Sequence, residues 1–125
     1  MILLGDEYIE FESIVRVSSI EDIKNTPPNS TVAFSFDMNI LKYTNQNEIN
    51  CAIKVDSIKE LIYSNLLNAK YIIPNKSILK DSQKIADNYM FDSKVLALIN
   101  EADEIQQLAL DGIDGAIYEK LINKE

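Results

Sequence analysis

The chain of 125 residues contains no histidine. That absence removes the usual base of Ser-His and Cys-His dyads, the imidazole metal ligands, and the one side chain whose ordinary pKa lies near neutrality. A single cysteine, Cys51, excludes an internal disulfide, and one thiol without imidazoles is far too little for a zinc site. Such sparing use of cysteine fits a reducing compartment, so a cytoplasmic location is expected. Glycine occurs only at positions 5, 112 and 115. No GxGxxG or Walker loop can be assembled from these, so the common nucleotide phosphate cradles are missing. No apolar run approaches the roughly 20 residues that span a bilayer. Met1-Ile-Leu-Leu4 is too short for a signal core and has no basic flank. Basic residues are also outnumbered, with 12 Lys and Arg against 20 Asp and Glu and a net charge of -8. Nucleic acid and anionic membrane are polyanions, and that balance argues against both as partners.

What remains is an ordinary globular composition, 46% hydrophobic and 26% charged, at a length that suits one domain over residues 1–125 with one core. The clearest stretch is Lys94 to Tyr118. Val95 to Ile99 is a continuous apolar run of strand length, and a strand apolar on both faces belongs in a covered, parallel sheet. Asn100 is expected to cap a helix, with Glu101 and Asp103 in its first turn, where the helix dipole favours negative charge. Ala102, Ile105, Leu108 and Ala109 recur at helical spacing. Gly112 falls where a left-handed C-terminal cap is expected. Gly115-Ala-Ile-Tyr118 is a second strand, so the stretch reads as a βαβ unit with a right-handed crossover.

The same rhythm precedes it. Ile2-Leu-Leu4 and Tyr8-Ile-Glu-Phe11 flank Gly5-Asp6 and suggest an N-terminal hairpin. Ser13 to Val17 is the first core strand, and a short helix capped by Ser18 or Ser19 follows it. Thr26-Pro-Pro-Asn-Ser30 is a sharp break, since two prolines forbid helix. Thr31 to Phe36 is a strand, Met38 to Tyr43 a brief helix, and Thr44 to Glu48 a polar loop. Asn50 to Val55 is a strand. Ser57-Ile-Lys-Glu60 has the capping-box pattern and opens a helix with Ile58, Leu61, Ile62 and Leu66 on its apolar stripe, stopped at Asn68. Lys70 to Pro74 is a strand, Ser77 to Met90 a helix, and Glu119 to Glu125 a polar tail. Tyr63, Tyr71, Tyr89 and Tyr118 read as edges of the core. The strands starting at Thr31, Asn50, Lys70, Lys94 and Gly115 recur every 19 to 24 residues. This implies an α/β fold: an open, mainly parallel sheet of five or six strands flanked by helices. A full eight-unit βα barrel is too long for this chain, leaving a flavodoxin-like sheet as the favoured arrangement over a barrel fragment.

Residues 94–118 resemble the last βαβ of response-regulator receiver domains. They are equally similar to the units of phosphate-binding βα barrels, whose helix ends in a glycine turn as in Leu110-Asp-Gly-Ile-Asp-Gly115. The whole chain is similar to small proteins of epsilon-class proteobacteria, a likeness that implies no activity. The receiver resemblance implies an acidic pair after the first strand, but only Asp37 is present. It implies a phospho-accepting Asp after the third, where Pro74-Asn75 stands. It implies Ser or Thr after the fourth, where Asn100 stands, and Lys after the fifth, where Glu119 precedes Lys120. The receiver-like fold is therefore expected without phosphorylation chemistry.

Ligands of open α/β sheets bind beyond the carboxyl ends of the strands. The candidates there are Asp37, Asp56, Asn75, Lys76 and Asn100. Asp37 and Asp56 offer oxygens to Mg²⁺, although turn and capping roles explain both, and no metal ligand set or cofactor is expected. Cys51 reads as a small buried hydrophobe. A complete fold lacking the common catalytic parts favours a non-catalytic interaction or regulatory module, with a protein partner or homodimer, over an enzyme. The alternative is a small ligand-binding protein or enzyme that uses the carboxylates at the strand ends.

Overall fold

The computed structural model describes residues 1–122 and shows seven strands and five helices. The strands are β1 (Ile2–Leu4), β2 (Ile14–Arg16), β3 (Thr31–Ser35), β4 (Cys51–Val55), β5 (Tyr71–Pro74), β6 (Lys94–Ile99) and β7 (Gly115–Tyr118). The helices are α1 (Ile20–Lys24), α2 (Met38–Gln46), α3 (Ile58–Leu66), α4 (Leu79–Asn88) and α5 (Glu104–Leu110). All pairings are parallel, in the order β1-β7-β6-β5-β4-β3-β2. The sheet is thus larger than the expected five or six strands. The interior positions expected from the apolar runs are confirmed, with Ala52, Ile53, Ile72, Val95, Ala97 and Ile99 all buried.

Strands β2 to β7 lie side by side in chain order, unlike the 2-1-3-4-5 order of a flavodoxin-like sheet. Right-handed crossovers that always advance in one direction put every helix on the same face. Val32, Phe34, Ile53, Val55 and Ile72 accordingly pack with Ile23, Ile40, Leu41 and Leu61 of the helices. Ala97, Ile99 and Ala116 pack with Ile105 and Leu108 of α5. The opposite face curls inward and closes on itself. Leu4, Ile14, Ala33, Ala52, Tyr71, Ile73, Leu96 and Ile117 form one cluster there, completed by Ile122. The sheet stays open between its edge strands β1 and β2, where the short 3₁₀ turn Glu119–Leu121 and Ile122 cover the inner cluster.

Local differences from the sequence reading have physical causes. No N-terminal hairpin forms, because Ile2–Leu4 pairs in parallel with β7 and Tyr8 to Phe11 is irregular. The expected loop Thr44 to Glu48 is mostly helix, since α2 runs to Gln46 with Thr44 buried, its hydroxyl donating to the Leu41 carbonyl. Residues 76–78 form a 3₁₀ turn before α4, and α4 ends at Asn88. Asn100 does not cap α5, which begins at Glu104. The Glu104 carboxylate instead accepts the Asn100 and Glu101 amides at 2.8 and 3.0 Å. These amides hold its acid below the ordinary carboxylate range. Of the polar tail, residues 119–121 make the 3₁₀ turn and residues 123–125 lie outside the described residues.

Candidate functional site

Alternation along the strands builds the site. Side chains two apart on a strand share a face. Ile14 of β2, Ala33 of β3, Ala52 of β4 and Tyr71 of β5 face the inner cluster. The next inward positions toward the carboxyl ends are therefore Arg16, Ser35, Lys54 and Ile73. These four line one cleft of about 330 Å³, together with Ser18, Asp37 and Ile122. Its floor stays open because Ala33 and Ala52 are small where larger side chains would fill it.

The cleft carries a charge pattern that the chain as a whole does not. Arg16 is the only arginine in the sequence, and Lys54 is the only charged residue in the strand Cys51–Val55. Lys54 is half-buried, and its ammonium makes no hydrogen bond or ion pair among the described residues. Arg16 pairs in register with Ala33, and Ser35 with Lys54, so the two cations stand two strands apart with β3 between them. Lys54 also lies two residues further along the strands than Arg16, so at a strand spacing of about 4.8 Å and a rise of about 3.3 Å per residue their backbones are separated by roughly 12 Å. Ser35, on the strand between them, also lines the cleft. The one carboxylate lining the cleft is engaged elsewhere: Asp37 Oδ1 accepts the Asn39 and Ile40 amides at 2.9 and 3.2 Å and caps α2.

The five residues singled out from sequence do not converge. Asp37 alone lines this cleft. Asp56 is exposed beyond β4; its amide donates to Glu60, and Ser57 rather than Asp56 caps α3. Asn75 caps the 3₁₀ turn by accepting the Ser77 amide at 3.0 Å. Lys76 lines a separate cleft of about 340 Å³ between the start of α4 and β6, with Glu104 and Lys80. Asn100 is exposed and bonded to Glu104. Among the described residues no three carboxylates or thiols come close enough to hold a metal ion. Cys51 is buried, and burial pushes its thiol up from its ordinary pKa. Sequence reading missed Arg16 and Lys54. A signal was present: each is a cation two residues beyond an inward small or apolar position on its strand.

At the opposite, amino-terminal end of the sheet one carboxylate ties three partners together. The Glu12 carboxylate accepts the Thr31 hydroxyl, the Lys70 ammonium and the Tyr71 hydroxyl, each at 2.7 Å. Burial alone would raise the Glu12 pKa, but these bonds together hold it below the ordinary value. Burial, and then the bond to Glu12, push the Tyr71 hydroxyl well up. No protein-family model matches the chain, and no curated protein matches it in sequence.

Proposed function

We propose that the protein is a non-catalytic binding module whose ligand site is the cleft at the carboxyl ends of β2, β3 and β4. The observation that carries this reading is the set Arg16, Ser35 and Lys54, the last inward side chains of their three strands. Polar and cationic side chains replace the apolar residues that fill the sheet everywhere below them. Lys54 is half-buried beside an apolar wall and its ammonium bonds to no described residue, so a ligand group can supply that partner. The volume is at the small end of the range for metabolite sites. The test is a ¹H–¹⁵N NMR titration with inorganic phosphate, citrate, glucose and glucose 6-phosphate, repeated on Ser35→Trp, which fills the mouth. Saturable shifts in the amides of residues 16–18, 35 and 54, lost in Ser35→Trp, support the site. If all four probes leave those amides unmoved, or move them equally in Ser35→Trp, the cleft is not a binding site.

A second reading, an interaction module that docks a second copy of the chain, draws on the groove between α3 and α4. Ile62, Leu66, Ile85, Tyr89 and Phe91 line it, and Leu66 and Tyr89 are 66% and 76% exposed. Ile62 and Leu66 were expected on the buried stripe and Tyr63 and Tyr89 at core edges, yet all four are solvent-exposed. Sedimentation of the wild type and Leu66→Glu decides it: a dimer dispersed by the substitution supports the docking face, and a monomer at high concentration removes it.

A further inference from the structure

Resting on the cleft reading above, we infer that the ligand is a small carboxylic acid with an amino or hydroxyl group on the adjacent carbon. Its carboxylate meets the Lys54 ammonium and its donor meets Asp37. Lys54 and Asp37 both line the cleft, yet no ion pair joins them. Ser35 pairs in register with Lys54, and Asp37 follows Ser35 by two residues. One strand spacing and two residue rises separate the backbones of Lys54 and Asp37 by roughly 8 Å. Each side chain has bonding capacity left over. The Lys54 ammonium bonds to no described residue. Only Oδ1 of Asp37 is taken up by the α2 cap, where it accepts the Asn39 and Ile40 amides; Oδ2 has no partner among the described residues. A cation and a carboxylate oxygen that line one cleft without meeting suit a ligand that carries both complementary groups.

Charge and shape narrow the class. Arg16 already has a partner of its own and lies two residues back along the strands from Lys54, so it calls for no second anionic group. The Asp37 carboxylate offsets the Lys54 charge at short range, which favours a ligand with one carboxylate over a polyanion. Ile73 and Ile122 form an apolar side that accepts a short aliphatic chain. The volume of about 330 Å³ suits a molecule of amino-acid size. An aliphatic α-amino acid meets every one of these conditions, with its ammonium on Asp37 Oδ2. The α-hydroxy acid of the same skeleton meets them with an uncharged donor.

The experiment is a ¹H–¹⁵N NMR titration at constant ionic strength with valine, α-hydroxyisovalerate, isovalerate and isobutylamine. Isovalerate is the same skeleton without the donor, and isobutylamine is valine without the carboxylate. Valine and α-hydroxyisovalerate should shift the amides of Ser35, Asp37 and Lys54 saturably, and the tighter of the two identifies the donor. Isovalerate and isobutylamine should each bind about tenfold or more weakly than that tighter ligand. Citrate, with a hydroxyl and a carboxylate on one carbon, should be the earlier probe that responds. Lys54→Met and Asp37→Asn should each weaken the tighter ligand about tenfold or more, and asparagine still caps α2. The ¹H–¹⁵N spectra away from the cleft report that the variants are folded. Isovalerate or isobutylamine binding as tightly as the two-function ligands would overturn the inference and leave the cleft a site. Binding that Lys54→Met or Asp37→Asn leaves unchanged would do the same. So would a cleft that responds to phosphate or a sugar and to none of these four. No shift at the cleft with any probe would remove both readings.

Discussion

Two glycines three residues apart make opposite demands on the fold, and replacing each with alanine separates them. Gly112 has φ +73°, and a Cβ built on it meets nothing within 4 Å. Gly112→Ala therefore costs only the left-handed backbone, about 1 kcal/mol. Gly115 has no such conformation. Its Cβ would run into the Ile2 carbonyl oxygen of β1, and would lie 2.8 Å from Ile2 Cβ and 2.9 Å from Ile2 N. Those are mostly backbone atoms paired in register with Gly115 itself, so no rotamer change relieves the clash. Either β1 shifts, at the roughly 1–3 kcal/mol typical of overpacking, or it detaches. Detachment exposes Ile2 and Leu4, at about 1.5–3 kcal/mol for each fully buried side chain. The cheaper route sets the cost, so Gly115→Ala should lose about 2–3 kcal/mol, at least twice the loss at Gly112. For a chain of this size that is on the order of 10 °C in Tm against about 4 °C. Urea unfolding monitored by circular dichroism measures both, and hydrogen exchange of residues 2–4 should accelerate only in Gly115→Ala. Equal losses, or a larger loss at Gly112, would refute the parallel packing of β1 on β7.

Glu12 should make the protein acid-labile. Its folded pKa lies below its ordinary value of 4.5, so its contribution is complete above pH 4.5 and disappears as pH falls through the lower folded value. Tm against pH should therefore drop more steeply below pH 4.5 in the wild type than in Glu12→Gln; parallel curves would remove Glu12 from the acid limb. Glu12→Ala at pH 7 should cost on the order of 2 kcal/mol, because Thr31 is 1% exposed and its hydroxyl would lose its acceptor; a loss under about 0.5 kcal/mol by urea unfolding would contradict that. Ser35→Trp, at an exposed position, should leave stability within about 0.5 kcal/mol of wild type in the same assay. Native Cys51 should react with N-ethylmaleimide only in denaturant, since it is 1% exposed; labelling of the folded protein at the rate of a free thiol would show that the β4 region opens.

The alternation of apolar strands with capped helices was legible because it is local. Ser57 and Gly112 behave as their neighbours imply, and the runs at 52–53, 72 and 95–99 are buried as a doubly covered sheet requires. The curl of the sheet was not legible. Sequential and flavodoxin-like strand orders present the same apolar runs, and only long-range pairing such as Ile2 with Gly115 distinguishes them. The Asn100 cap failed for a smaller reason: Glu104, four residues on, reaches back to the same amides that a cap residue would organise. At the site, attention to carboxylates at strand ends picked Asp37, whose role is capping. Arg16 and Lys54 were overlooked because their meaning depends on which face of each strand turns inward. In β4, where Cys51, Ala52, Ile53 and Val55 are all buried, pattern alone does not reveal that face.

Protection of a thiol placed in the cleft tests the account most directly. Ser35→Cys puts one exposed sulfur between Arg16 and Lys54, while Cys51 stays buried, so a neutral maleimide reports on the cleft alone. A saturating amount of whichever of phosphate, citrate, glucose or glucose 6-phosphate shifts the cleft amides should slow labelling of Ser35→Cys about tenfold or more. Labelling at an unchanged rate with each of the four present would contradict the claim that this cleft is a ligand site.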